Sequence, residues 1–294
     1  MRFPLLPHLL RLSRWPSLLC LAVLSPVANR ADDPASPYEV ETHKDVAYYE
    51  GENADPIKHK LDLYLPKGVK DYPVLFFVHG GAWISGDKKD FGVYSGLGRS
   101  FARAGIGTVV INYRLSPGVK HPEHIKDVAR AFAWTHKNIA KYGGRPDRIF
   151  VSGHSAGGHL IALLTTNEQY LKAEGRSIKD IRGAIPLSGV YELPDRFMPN
   201  VFGTDAEVRK SAEPLSHVRA GEPPFLILYA EQDFPGCGKI PSEAFCKALK
   251  NKENQAESME IKGSDHIHIL LAAAKADDPV CKKIIEFIKD HAKK

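Results

Sequence analysis

Residues 148–166, RIFVSGHSAGGHLIALLTT, change character midway, and that change decides the fold. Arg148–Ser152 is a short continuous apolar run, as expected for a strand buried on both faces. Gly158–Thr166 is apolar all round, as expected for a buried helix. Between them stands Gly153-His154-Ser155-Ala156-Gly157, a G-x-S-x-G turn. Glycines two before and two after Ser155 keep neighbouring side chains clear of a strained strand-to-helix turn, which leaves the hydroxyl exposed. Ser155 is the candidate nucleophile. The backbone N–H of Ala156, at the helix start, is a candidate donor to an oxyanion.

Working outward, the same alternation recurs on both sides. Strands are expected at 38–49, 61–65, 73–79, 107–113, 181–187, 225–230 and 259–262. Helical periodicity marks 97–104, 124–142, 242–250 and 280–292. With 148–152, the pattern predicts an α/β domain: a mostly parallel sheet of about eight strands with helices on both faces. The polar, irregular stretch 191–221 interrupts the alternation, and a segment of that kind predicts a short lid or cap. One catalytic domain over 32–294 is the simplest organisation.

A second motif, His79-Gly80-Gly81-Ala82-Trp83, follows the apolar run PVLFFV. Paired glycines let backbone N–H groups turn towards a pocket, so Gly80 and Gly81 join Ala156 as expected oxyanion donors. His79 reads as structural. Trp83 and His154 are expected to contact substrate.

A serine needs a base, and the base an orienting acid. Glu231, Gln232 and Asp233 follow the strand 225–230, and Asp233 is the favoured acid, ahead of Glu231 and Asp195. Past the last short strand, Gly263-Ser264-Asp265-His266-Ile267-His268 offers two histidines. His266, directly on the loop, is favoured as base over His268, which opens an apolar helical run. No His, Cys or acidic spacing suggests a catalytic metal, and no cofactor is expected.

Composition narrows the alternatives. The chain has 40 Lys+Arg against 35 Asp+Glu, a net charge of +5, of which Arg2, Arg11, Arg14 and Arg30 supply four with no acid before Asp32. The remaining body is nearly neutral and gives no electrostatic footprint for nucleic acid. Residues 1–31, with basic positions and a short apolar run at 16–24, read as an export signal cleaved near Ala28 or Ala31. No run reaches the length of a membrane span. Export would permit disulfides. Cys237, Cys246 and Cys281 are odd in number, and Cys237 and Cys246 are close enough in sequence to bridge.

Taken together, His79-Gly80-Gly81-Ala82-Trp83, Tyr113-Arg114-Leu115-Ser116 and Gly153-His154-Ser155-Ala156-Gly157-Gly158-His159 resemble the α/β-hydrolase esterase/lipase superfamily. The match runs from about Asp55 to the C-terminus. Ala82 and His154 depart from the hormone-sensitive-lipase branch, which has glycine and an acid there. The chain looks closer to the small carboxylesterase, feruloyl/acetyl-xylan esterase and kynurenine-formamidase-like group. The resemblance implies a cofactor-free Ser-His-Asp hydrolase with a short cap, acting on a small-molecule ester. An arylformamidase and an inactive binding module are the alternatives.

Overall fold

The computed structural model describes residues 38–293; the expected leader lies outside the described residues. Eight strands form one sheet: β1 (Val40–Ala47), β2 (Lys60–Pro66), β3 (Tyr72–Val78), β4 (Gly107–Ile111), β5 (Gly144–His154), β6 (Gly183–Leu187), β7 (Phe225–Gln232) and β8 (Ala256–Asp265). Their order is β1-β2-β4-β3-β5-β6-β7-β8. Only the pairings made by β2 are antiparallel; β4 to β8 join in parallel through β3.

The helices are α1 (Val93–Arg103), α2 (Glu123–Asn138), α3 (Ala156–Thr166), α4 (Gln169–Ala173), α5 (Pro199–Phe202), α6 (Ala206–Ser211), α7 (Lys239–Asn251), α8 (His268–Ala274) and α9 (Pro279–Ala292). They cover both faces because the central strands are apolar on both. In β3, Val74, Phe76 and Val78 join the layer containing Phe132, Leu160 and Phe245 of α2, α3 and α7. Leu75 and Phe77 join the opposite layer, with Phe101 of α1 and Ile284 of α9. Period-two alternation thus assigns each strand residue to one of two cores. All eleven residues of α3 are buried, as its all-round apolarity demands.

Boundaries differ from expectation where pairing outruns hydrophobicity. β8 runs from Ala256 to Asp265 rather than 259–262, since its backbone pairs with β7 from Phe225 to Gln232 regardless of exposed side chains. β5 likewise reaches His154 through hydrogen bonds to β6. α1 begins at Val93, ahead of Leu97. Cys237, Cys246 and Cys281 are buried and free, so the possible Cys237–Cys246 bridge is not formed. Among the described residues no helix is long and apolar enough to cross a membrane.

Candidate active site

Ser155 sits where β5 hands over to α3, with φ 55° and ψ −118°, a conformation costly for a residue with a Cβ. Its N–H is pinned to the Leu187 carbonyl at 2.9 Å. The turn requires close backbone approach. A Cβ on Gly157 would lie 2.1 Å from the Val78 carbonyl oxygen, and one on Gly153 would lie 2.5 Å from Gly157.

The parallel strands deliver the partners, because β5, β6, β7 and β8 all end at the same edge of the sheet. Asp233 follows β7 and His266 follows β8. His266 Nε2 lies 2.9 Å from Ser155 Oγ, and its Nδ1 lies 2.6 Å from Asp233 Oδ1. The carboxylate can only accept when ionised, so Nδ1 carries the proton and Nε2 is free to accept from Ser155. Asp233 Oδ2 also accepts from Ser188 Oγ at 2.5 Å and from the Ala230 N–H at 3.0 Å. Burial alone would raise the Asp233 pKa, but hydrogen bonds from His266, Ser188 and Ala230 hold it below the usual carboxylate value.

The rival residues lie elsewhere. His268 Nδ1 pairs with Asp265 at 2.7 Å on the surface, and Glu231 accepts from the Gly263 N–H at 2.7 Å. Asp195 is exposed. Ser188 was missed by sequence reasoning. Its position just past the apolar strand 183–187 was the available signal.

The expected oxyanion donors are only partly placed together. Gly80 donates its N–H to Tyr94 Oη at 3.2 Å, which commits it to the scaffold. Gly81 and Ala82 line the cleft beside Ser155, and among the described residues their N–H groups meet no acceptor. Ala156 opens α3 directly after Ser155. The donor set available is therefore Gly81, Ala82 and Ala156, with Ala82 in place of Gly80. Gly81 has φ +111°, and a Cβ there would meet the Ser85 carbonyl oxygen at 2.2 Å. The far end of this loop is anchored by Lys88, whose buried Nζ lies 2.7 Å from Asp45 and 2.5 Å from Asp62.

His79 stacks on Tyr113 with ring centroids 4.5 Å apart and stays buried. Burial pushes its pKa down to about 4, so it is neutral scaffold, as its sequence context implied.

His154 lines the cleft and has a second task. Its Nε2 lies 2.7 Å from the backbone carbonyl of His266. A carbonyl only accepts, so His154 is the Nε2–H tautomer and fixes the main chain of His266 from beside Ser155. Burial, then the neighbouring His266, lower its pKa to about 4.

Trp83 is placed differently from expectation. It is 2% exposed and does not line the cleft. Its indole N–H donates to His159 Nδ1 at 3.2 Å, and His159 Nε2–H donates to the Ala212 carbonyl at 2.8 Å. Phe202 packs edge-on against the indole at 4.9 Å. Stretch 191–221, which holds α5 and α6, is thereby fastened to the flank of the site. None of its residues lines the cleft. The cleft, about 640 Å³, opens on the other side, between the loop 80–86, Phe91, Tyr94, Phe234 and Leu271.

The sheet order, the elbow and the two loops beyond β7 and β8 are those of one fold. The chain has the α/β-hydrolase fold. Residues 61–191 match the BD-FAE family. The chain is 34% identical over 233 residues to esterase LipQ of Mycobacterium tuberculosis, covering 74% of this chain and 55% of that protein. It is 32% identical over 246 residues to isoprenylcysteine alpha-carbonyl methylesterase ICME of Arabidopsis thaliana, covering 74% and 56%. The chain thus spans about half the length of the curated relatives it matches. A truncated carbohydrate esterase from gut microbiota superposes with a TM-score of 0.74 at 20% identity, over 88% of this chain and 99% of that one. At that identity the likeness speaks for the fold.

Proposed function

We propose that this α/β-hydrolase is an exported carboxylic ester hydrolase that works through an acyl-enzyme on Ser155. One observation carries the reading: the continuous relay Ser155 Oγ to His266 to Asp233, at 2.9 and 2.6 Å, beside a glycine-built loop of backbone donors. The esterase relatives support the ester class, and the composition of residues 1–31 supports export.

In this mechanism His266 Nε2 takes the hydroxyl proton as Ser155 Oγ attacks the carbonyl carbon. Asp233 stabilises the imidazolium and holds the ring, itself aimed by Ser188. Gly81, Ala82 and Ala156 N–H groups receive the oxyanion, each donor worth roughly 3–4 kcal/mol. His266 then protonates the departing alcohol. Water, deprotonated by the same nitrogen, attacks the acyl-enzyme and restores Ser155.

The cleft is apolar and open at one side, which suits small to medium acyl esters. Steady-state hydrolysis of p-nitrophenyl esters from acetate to palmitate tests this, with Ser155→Ala alongside. Turnover should peak at short chains and fall by at least about a thousandfold in the variant. Equal activity in Ser155→Ala would overturn the mechanism. Turnover of an N-formyl aromatic amine with no ester turnover would move the substrate class to amides. Recovery of processed protein from periplasm or medium, rather than cytoplasm, tests export.

A further inference from the structure

Cys237 has no part in the acyl-transfer relay, yet it lies against it. One ligand atom each from Asp233, Cys237 and His266 fall within 4.8 Å of one another, and this is the only such group among the described residues. The turn after β7 creates the juxtaposition. Cys237 and Gly238 both donate their N–H to the Phe234 carbonyl, at 2.8 and 3.0 Å, which folds the chain back over Asp233. A Cβ on Gly238 would come within 3.1 Å of the Asp233 Cβ. Cys237 and His266 are buried, whereas Phe234, Pro235 and Gly236 above them are exposed, so the route inward is one turn deep.

We propose that Asp233, Cys237 and His266 form an inhibitory binding site for a borderline-soft divalent cation, zinc above all. The donor set of one thiolate sulfur, one imidazole nitrogen and one carboxylate oxygen is that of three-ligand zinc sites, with water completing the tetrahedron. Zinc bonds of about 2.0–2.3 Å set ligand atoms roughly 3.3–3.7 Å apart. Nδ1 and the Asp233 oxygen, now 2.6 Å apart, must therefore part slightly while the Cys237 sulfur stays within 4.8 Å of both. These are adjustments of about 1 Å that the exposed turn can supply.

Charge balance favours occupation. A dication with one carboxylate, one thiolate and a neutral imidazole sums to zero, so the buried site gains no net charge. Without the metal the thiol stays protonated, because burial and then the Asp233 carboxylate push its pKa to about 12. Binding therefore releases one proton, from Cys237 to solvent.

Inhibition follows from the second nitrogen of the ring. The metal bonds Nδ1, the atom now 2.6 Å from Asp233. The ring proton moves to Nε2, the atom 2.9 Å from Ser155. That nitrogen then donates and can no longer accept the serine proton, so the base is lost with the fold intact. The inhibitory consequence rests on the acyl-enzyme reading of Ser155; the binding site does not.

The test uses the full chain freed of metal by a chelator. Cobalt(II) should give a thiolate-to-metal charge-transfer band in the near ultraviolet, absent in Cys237→Ser. Zinc should suppress ester turnover, with a half-inhibiting concentration that falls about tenfold per pH unit, as release of one proton requires. Cys237→Ser should keep its metal-free turnover and need at least about tenfold more zinc. Cys237→Ala serves if the serine variant does not fold. A missing cobalt band in active wild-type protein, or zinc sensitivity unchanged in the variant, would overturn the proposal. A cobalt band in protein that cleaves no ester would leave the site standing and sink the esterase reading.

Discussion

Ser155 stands between two unlike flanks. On one side Trp83, His159 and Phe202 interlock at 2% exposure or less, and the carbonyl of Ala212 closes the chain of hydrogen bonds. On the other side Phe91, Phe234, Ile267 and Leu271 line the cleft at 86, 61, 55 and 41% exposure. The closed flank is built like a protein interior, and the open one like a surface awaiting an apolar ligand. On the proposed reading, selectivity for the substrate chain belongs to the open flank, while the segment that sequence marks as a lid is packed as a buttress.

The strongest way to break this contrast is Trp83→Ala. Loss of a buried indole should cost about 3–5 kcal/mol in urea unfolding, with the loop 80–86 loosened as a result. If stability barely changed, the closed flank would not be the core that its packing describes.

Acid probes the buried histidines on either side of Ser155 next. His154 is held neutral at about 4 and His159 at about 3, both by burial first. An unfolded histidine titrates near 6.5, so between that value and about 4 the unfolded chain binds more protons. Stability from these groups is complete above pH 6.5 and is lost as pH falls, by about 3 kcal/mol for each once pH 4 is reached. Denaturant midpoints across this window check the sign and size.

His154 sits at the seam. His154→Ala removes the donor to the His266 carbonyl and should lower kcat about tenfold, near 1.4 kcal/mol, with KM little changed. His154→Gln, able to donate from a similar distance, should recover part of the loss. The smallest effect belongs to the open flank. Phe91→Ser should alter stability by less than about 0.5 kcal/mol and weaken kcat/KM for longer esters severalfold more than for acetate.

The legible part of this molecule was whatever chain order and apolar runs control. Strands β3 to β7 announce themselves because burial on both faces demands continuous apolar residues. Ser155, Asp233 and His266 stand out because each follows a strand in a sheet whose parallel strands end together. Side-chain direction was not legible. Trp83 lies in the same motif as Gly81 and points into the closed flank, a choice made by His159 and Phe202 from distant segments. Gly80 and Ala82 stand two positions apart in one loop, and the Tyr94 hydroxyl, from α1, takes up the Gly80 N–H. β8 was read too short because an edge strand takes its length from the pairing partner, whatever its own polarity.

The position of β8 also governs when the protein can act. Among the described residues it is the last strand in chain order and lies at the sheet's edge, and His266 just beyond it stands 111 residues after Ser155. Domains fold as their segments emerge from synthesis. A chain halted between Leu187 and His266 already holds strand β5, the elbow and the carbonyl that pins it, but lacks the imidazole that meets Ser155 Oγ. On the proposed reading, hydrolytic competence thus arrives only once β8 has paired, which keeps the serine silent during the earlier part of synthesis.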